Sequence, residues 1–231
     1  MTRNLFTISM LLVCLCISAQ AGTWSSELHQ MPLGSNAREL NRTNCVPLML
    51  NAFPSNATVK ALIFMPGATD ELYFFRRVKV TLTNESPSLL DAVVALTNQS
   101  PLRATFRPPF LLLHSDEDVL DLIVDTQHPP TAAKLRQRGP MPRWMFNDRD
   151  WDELLAVIRK PVRTALRPYA RSMDSWDFYR HSFAAWNLTA WETLEAAALA
   201  GKTKMTVRRG VVEFKLDQRI GVLPKLEHYP R

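Results

Sequence analysis

The chain has 231 residues, with 28 lysines and arginines against 22 aspartates and glutamates, a net charge of +6, and 46% hydrophobic residues. That length suits one good-sized domain or two small ones. Seven glycines, none in a G-x-G-x-x-G or Walker arrangement, exclude the phosphate cradles of nucleotide-binding folds.

The first residues address the compartment. Arg3 gives a positive start, Leu5 to Ile17 is mostly apolar, and Ala19-Gln20-Ala21 places small residues where a signal peptidase reads them. The pattern predicts a secretory signal peptide over 1–21, cleaved after Ala21. The apolar run is too short for an anchor, which needs ~20 residues. Val13 and Leu15 precede Cys14 and Cys16, where a lipoprotein would carry a small residue. Cleavage would leave 22–231 with Cys45 as its one cysteine, so no internal disulfide forms and Cys45 reads as a small buried hydrophobe. The mature chain has no other long apolar run. The expectation is an exported protein, periplasmic or secreted, with no transmembrane segment after cleavage.

Residues 22–55, punctuated by Pro32, Gly34, Pro47 and Pro54, read as an extended arm with a short helix around Ala37–Arg42. An α/β unit is expected over 56–127. Val59–Met65 predicts a strand closed by the Pro66-Gly67 turn, and Glu71–Phe75 a helical turn or edge strand. In the centre of the unit, Val78, Val80 and Leu82 alternate with polar residues as a half-buried strand does. Ser86 then offers a helix cap, with Pro87 at the first helical position. Leu89, Leu90, Val93, Val94 and Leu96 make a helix face ending over Asn98–Pro101, and two strands follow to His114. Val119–Val124 continues as a short helix or strand.

The stretch VTLTNESPSLLDAVVALTNQSPLRATFRPPFLLLH resembles the short domain at the N-termini of secretins and TonB-dependent receptors. The likeness lies in the strand, the Ser/Pro-type helix start, the Leu-x-x-Ala-x-x-x-Leu helix and the two strands after it. It implies a small periplasmic α/β unit that transmits contacts to protein partners without catalysis. Ser100-Pro101 stands where that family usually has a Thr-Gly turn.

Residues 128–142 carry Pro129, Pro130, Pro140 and Pro142 with Gly139 and read as a linker. The helical region 143–231 begins with a helix capped by Asn147 or Asp148. Asp150, Asp152 and Glu153 fill its first turn, and Arg159 and Lys160 its last before Pro161. Asp174–Leu199 predicts two helical pieces, the second opened by the capping box Thr189-Ala-Trp-Glu192 and stopped at Gly201. Thr203–Arg209 and Val211–Asp217 form a hairpin around Gly210. The whole predicts an α+β protein, with a small βαββ-type sheet-and-helix N-terminal half and a helix-rich C-terminal half ending in a β-hairpin.

Several motifs bear on chemistry. Ala61–Gly67 and Phe110–Asp118 resemble the oxyanion strand and the acid strand of α/β-hydrolases, which would make Asp116 or Asp118 the acid. No glycine lies between Gly67 and Phe110 to build a nucleophile elbow, so no catalytic residue is assigned and a hydrolase-like enzyme is the alternative reading. Asp148, Asp150 and Asp152 imitate a calcium loop, but Glu153 replaces its glycine and Arg159 its closing glutamate. The five scattered histidines form no zinc pattern, so neither a metal site nor a cofactor is expected. Trp176, Phe178, Tyr179, Phe183, Trp186 and Trp191 read as core rather than a carbohydrate platform. Sequons begin at Asn41, Asn56, Asn84, Asn98 and Asn187. From Lys134 to Arg171 ten basic residues face four acids, with Trp144, Trp151 and Tyr169 interleaved. Arg136, Arg138, Arg143, Arg163 and Arg167 are therefore the candidate contact surface for an anionic protein or envelope partner, with nucleic acid not expected. A non-catalytic binding or assembly protein of the cell envelope is the functional expectation.

Overall fold

The computed structural model describes residues 22–34, 37–53, 58–65, 78–115, 120–168 and 181–217. Six helices and three sheets stand among them, and the fold is α+β. The elements are α1 (22–29), β1 (Glu39–Asn41), α2 (Cys45–Ala52), β2 (Ala61–Phe64), β3 (Lys79–Thr81), α3 (Leu89–Gln99), β4 (Leu102–Arg107), β5 (Phe110–Ser115) and β6 (Val124–Thr126). They continue as α4 (Pro129–Gln137), β7 (Trp144–Arg149), α5 (Trp151–Val162), β8 (Ala165–Pro168), β9 (His181–Ala185), α6 (Ala190–Ala200), β10 (Thr203–Arg208) and β11 (Val211–Leu216).

A five-stranded sheet, ordered β4-β5-β2-β9-β7, divides the molecule into two cores. Its central strands are apolar without alternation because both faces are buried. Ala61, Ile63, Phe110 and Leu112 face a core shared with α4, α5, α6 and the four-stranded sheet β6-β10-β11-β8. Leu62, Phe64, Leu111 and Leu113 face the other way, onto α1, α2 and α3.

The strand–helix–strand–strand order of 77–114 holds, with one change of partner. β3 leaves the central sheet and pairs antiparallel with β1, Val80 opposite Leu40, while β4 and β5 form a hairpin. The helix expected around Ala37–Arg42 is thus a strand, because Leu40 alternates with outward Glu39 and Asn41 and finds Val80 across from it. Nor are residues 22–53 an extended arm: α1, β1 and α2 supply much of the second core, including Leu28, Met49 and Phe53. Pro47 is accommodated near the start of α2, where backbone N–H groups have no helical partner.

Caps move as well. Ser88, not Ser86, caps α3, in a reciprocal box with Asp91: Ser88 Oγ accepts from the Asp91 amide at 3.2 Å, and Asp91 Oδ2 accepts from the Ser88 amide at 2.7 Å. The bond from the Ser88 amide, with those from the Ser88 and Asn84 side chains, holds the Asp91 carboxyl below its ordinary pKa. Val94 points outward from α3 at 47% exposure. The proline-rich 128–142 contains α4, with His128 as cap and Pro129 and Pro130 in the first turn. α5 is capped by Asp150, because Asn147 and Asp148 belong to β7.

Residues 181–185, expected as helix, form β9 between β2 and β7. Phe183, Ala184 and Ala185 are buried there, and sheet pairing overrides alanine's helix preference. The box Thr189–Glu192 opens α6 as expected, and Gly201 closes it. The terminal hairpin also holds, with Met205 opposite Phe214 and Val207 opposite Val212, all buried. Glu71–Phe75 and Asp174–Arg180 lie outside the described residues, as do residues 1–21, where a signal peptide was expected.

Candidate functional site: a basic groove at the end of a helix

α5 is amphipathic by construction. Trp151, Leu154, Leu155, Ile158 and Val162 fill the core, which leaves Arg159, Lys160 and Arg163 on the outer side of its last turn. Pro161 and the left-handed Arg163 (φ 51°, ψ 42°) end the helix. Glycine usually holds that left-handed position, since a side chain there costs ~1–2 kcal/mol. The chain then turns through Thr164 into β8, and Ala165 N–H donates to the Gly210 carbonyl at 3.3 Å. The β10–β11 turn is thereby brought against the end of α5. Gly210 itself sits at φ 68° and gives its N–H to Thr131 Oγ1 at 3.2 Å.

Between these pieces lies a groove of about 500 Å³ lined by Ala156, Arg159, Lys160, Arg163, Thr164, Ala165 and Gly210. Three of the seven are cations and none is an acid. Among the described residues, Arg159, Lys160 and Arg163 make no ion pair, whereas Arg149, Arg208 and Lys60 pair with Glu153, Glu213 and Glu192. Unpaired convergent cations raise the local positive potential and leave their donors available.

The five arginines expected to act together are divided. Arg163 lines the groove, and Arg138 stands behind it, its guanidinium donating to the carbonyls of Val162 and Arg163. Arg167 is exposed on edge strand β8, which continues from Thr164. Arg136 instead lies 4.1 Å over the ring of Trp191, and Arg143 lies 5.9 Å from that of Trp186. Arg159 and Lys160 were legible only as partners of the helix dipole. Their further signal is the spacing 159, 160, 163, which sets Arg159 and Arg163 one turn apart on one face.

Other candidate chemistry resolves locally. β2 and β5 run parallel and adjacent, while Asp116 and Asp118, the acids of the hydrolase reading, lie outside the described residues. His114, at the end of β5, has Nδ1 2.6 Å from the Ser115 carbonyl and Nε2 2.8 Å from Thr105 Oγ1. The carbonyl only accepts, so Nδ1 is the donor in that contact, and the Thr105 hydroxyl meets the other ring nitrogen. Asp150 is occupied as the α5 cap, its Oδ1 accepting from the Glu153 amide at 2.7 Å. Among the described residues no group of three or more His, Cys, Asp or Glu could hold a metal ion. Cys45 is fully buried, and burial pushes its thiol up to about 12, which keeps it an unreactive hydrophobe as expected. Phe183 and Trp191 are core, Trp186 is half-buried, and Trp176, Phe178 and Tyr179 lie outside the described residues. Of the sequons, Asn84, Asn98 and Asn187 are exposed, Asn41 is half-buried, and Asn56 lies outside the described residues. Among the described residues no helix is long and apolar enough to cross a membrane.

No family model matches the chain, and no curated protein or solved structure gives a significant match.

Proposed function

We propose that this chain is an exported, non-catalytic binding or assembly component of the periplasm or cell envelope, which holds an anionic partner on a basic surface within residues 134–168. The observation that carries this reading is the acid-free groove of Arg159, Lys160 and Arg163, three cations with no ion pair among the described residues. Exposed cations in folded proteins ordinarily scatter or meet acids, because clustering them raises self-repulsion. A cluster kept free of acids is arranged for a negative charge from outside. The leader pattern of 1–21 supports export, and the resemblance of 77–114 to a partner-contacting periplasmic domain fits a role without catalysis. Of the expected arginines, Arg163 and Arg167 belong to this contact surface, with Arg159 and Lys160 joining them.

The test is capture of fluorescent poly-L-glutamate by the immobilised protein over a salt series. Attraction between exposed charges is screened over ~10 Å at 0.1 M salt, so capture by the wild type fades as salt rises. The triple variant R159E/K160E/R163E abolishes it at low salt. Capture that is indifferent to both salt and this variant overturns the proposal.

A further inference from the structure

The charge of the groove restricts what it takes. Its wall holds three cations and no carboxylate. The C-terminal end of a helix normally opposes an anion with about half a negative charge of carbonyl dipole. Here Arg138 donates to the Val162 and Arg163 carbonyls at that end, so the opposing dipole is already answered from behind. The three groove cations are left for a ligand. Gly210 has its N–H committed to Thr131 and its carbonyl to Ala165, so the donors that remain are the side chains of Arg159, Lys160, Arg163 and Thr164. None of these four makes a side-chain hydrogen bond or ion pair among the described residues.

We infer that this groove binds a phosphate-bearing anion of charge about −2 to −3, a phosphomonoester or diphosphate group. The assignment rests on the anionic-partner reading above and narrows it. A lone carboxylate carries one charge and leaves two cations unanswered, whereas a phosphate brings ~1.5–2 charges and three strong acceptor oxygens. Two guanidiniums match those oxygens in forked pairs, and lysine serves as a point charge. A volume of about 500 Å³ lies within the ~300–1,000 Å³ range of sites for small ligands. The conformation of Arg163 points the same way. A left-handed C-terminal position favours glycine, yet arginine stands there, lining the groove and exposed. A conformation disfavoured for that residue at a site lined with free donors marks a side chain kept for what it contacts.

The experiment is calorimetric titration of the exported chain with inorganic pyrophosphate, and with tricarballylate as a carboxylate of comparable charge at equal ionic strength. Pyrophosphate binds at least roughly tenfold more tightly. Arg163→Gly weakens it by a similar factor while melting at or above the wild-type temperature. Lys160→Gln, a change on the exposed face, gives a second loss of binding independent of backbone conformation. Co-sedimentation with phosphatidylcholine vesicles containing phosphatidic acid identifies the source of the group. Retention that is lost in Arg163→Gly supports a lipid headgroup, and pyrophosphate binding without retention supports a soluble phosphate compound. Equal affinity for pyrophosphate and tricarballylate overturns the phosphate assignment but leaves the anionic reading standing if poly-L-glutamate is still captured. Failure of all three probes overturns both. Pyrophosphate binding untouched by Arg163→Gly and Lys160→Gln places the phosphate elsewhere and overturns the site, while a fall in both melting temperature and binding in Arg163→Gly, with Lys160→Gln binding normally, makes Arg163 a strut and overturns it too.

Discussion

α5 and α6 are close in length and are both well capped at their N-termini, but they meet the rest of the molecule in opposite ways. α6 buries nine of its eleven residues, from Ala190 to Ala200, against β9, β10 and α4. α5 buries one stripe of five and gives its last turn to solvent. The cations beside each helix follow suit. Near α6, Arg136 covers Trp191, Lys60 comes within 3.9 Å of Glu192, and Trp191 Nε1 donates to Glu195 Oε1 at 2.7 Å. At the end of α5, Arg159, Lys160 and Arg163 meet neither ring nor carboxylate among the described residues. Positive charge around a buried helix is used to finish packing; positive charge at the free end of an amphipathic one stays available for a ligand.

The comparison breaks most sharply on the α6 side at Gly201. A methyl group there would lie 2.7 Å from Trp151 Cζ3 and 3.1 Å from His181 Nε2, both belonging to buried residues. Gly201→Ala is therefore expected to destabilise the fold by ~1–3 kcal/mol through overpacking. In a chain of this size that lowers the melting temperature by ~2–4 °C per kcal/mol. Capture of poly-L-glutamate below the new melting temperature should be unchanged. A variant as stable as the wild type would show that α6 is packed less tightly than its burial implies.

A smaller effect sharpens the contrast among the arginines. Arg136→Glu with Arg143→Glu removes two cations from tryptophan faces, each contact worth ~0.5–1 kcal/mol at an exposed site. It also sets a carboxylate near Glu195. Thermal melting should register a loss of ~1–2 kcal/mol, with anion capture nearly intact. If capture collapses while stability holds, the two arginines belong to the contact surface and the division between α5 and α6 fails.

What could be read from the sequence was local. The box Thr189–Glu192 and the hairpin around Gly210 are set within a few residues, and both stand as expected. So does the alternation of Val78, Val80 and Leu82, each buried. β9 was not legible because Phe183, Ala184 and Ala185 suit a buried helix as well as a buried strand, and only pairing with β2 and β7 decides between them. β3 likewise showed its pattern but not its partner, since Leu40 lies where a short helix was expected within a proline-punctuated arm. The groove was half legible. Its basic character was plain, but its shape depends on Gly210 reaching the end of α5 from far along the chain. The role of Arg138 depends on carbonyls 24 and 25 residues away.

The smallest expected effect is a pH dependence confined to α6. Glu195 has its carboxyl raised above the ordinary glutamate value of 4.5, chiefly because burial disfavours the charge. The Trp191 N–H, Arg107 and Arg136 act against that rise, and Glu192 adds to it. A carboxyl whose folded pKa exceeds its unfolded one binds its proton more readily in the native state. Its contribution to stability is thus fully present below the unfolded value and is lost as pH rises through the folded one. Glu195→Gln keeps an oxygen to accept from Trp191 Nε1 and removes the titration. Urea unfolding of the two proteins should give curves that separate as pH climbs from just below 4.5 toward neutrality, with the glutamine variant the more stable at the upper end. Asp91 in the α3 cap has the opposite sign, its stabilising bonds being lost as pH falls through its lowered value, and it is common to both proteins, so it cancels in the difference. Parallel curves, or a glutamine variant less stable at neutral pH, would mean that Arg107 and Arg136 hold Glu195 as an ion rather than tolerate it, and the compensated character assigned to the α6 face would then rest on true ion pairing.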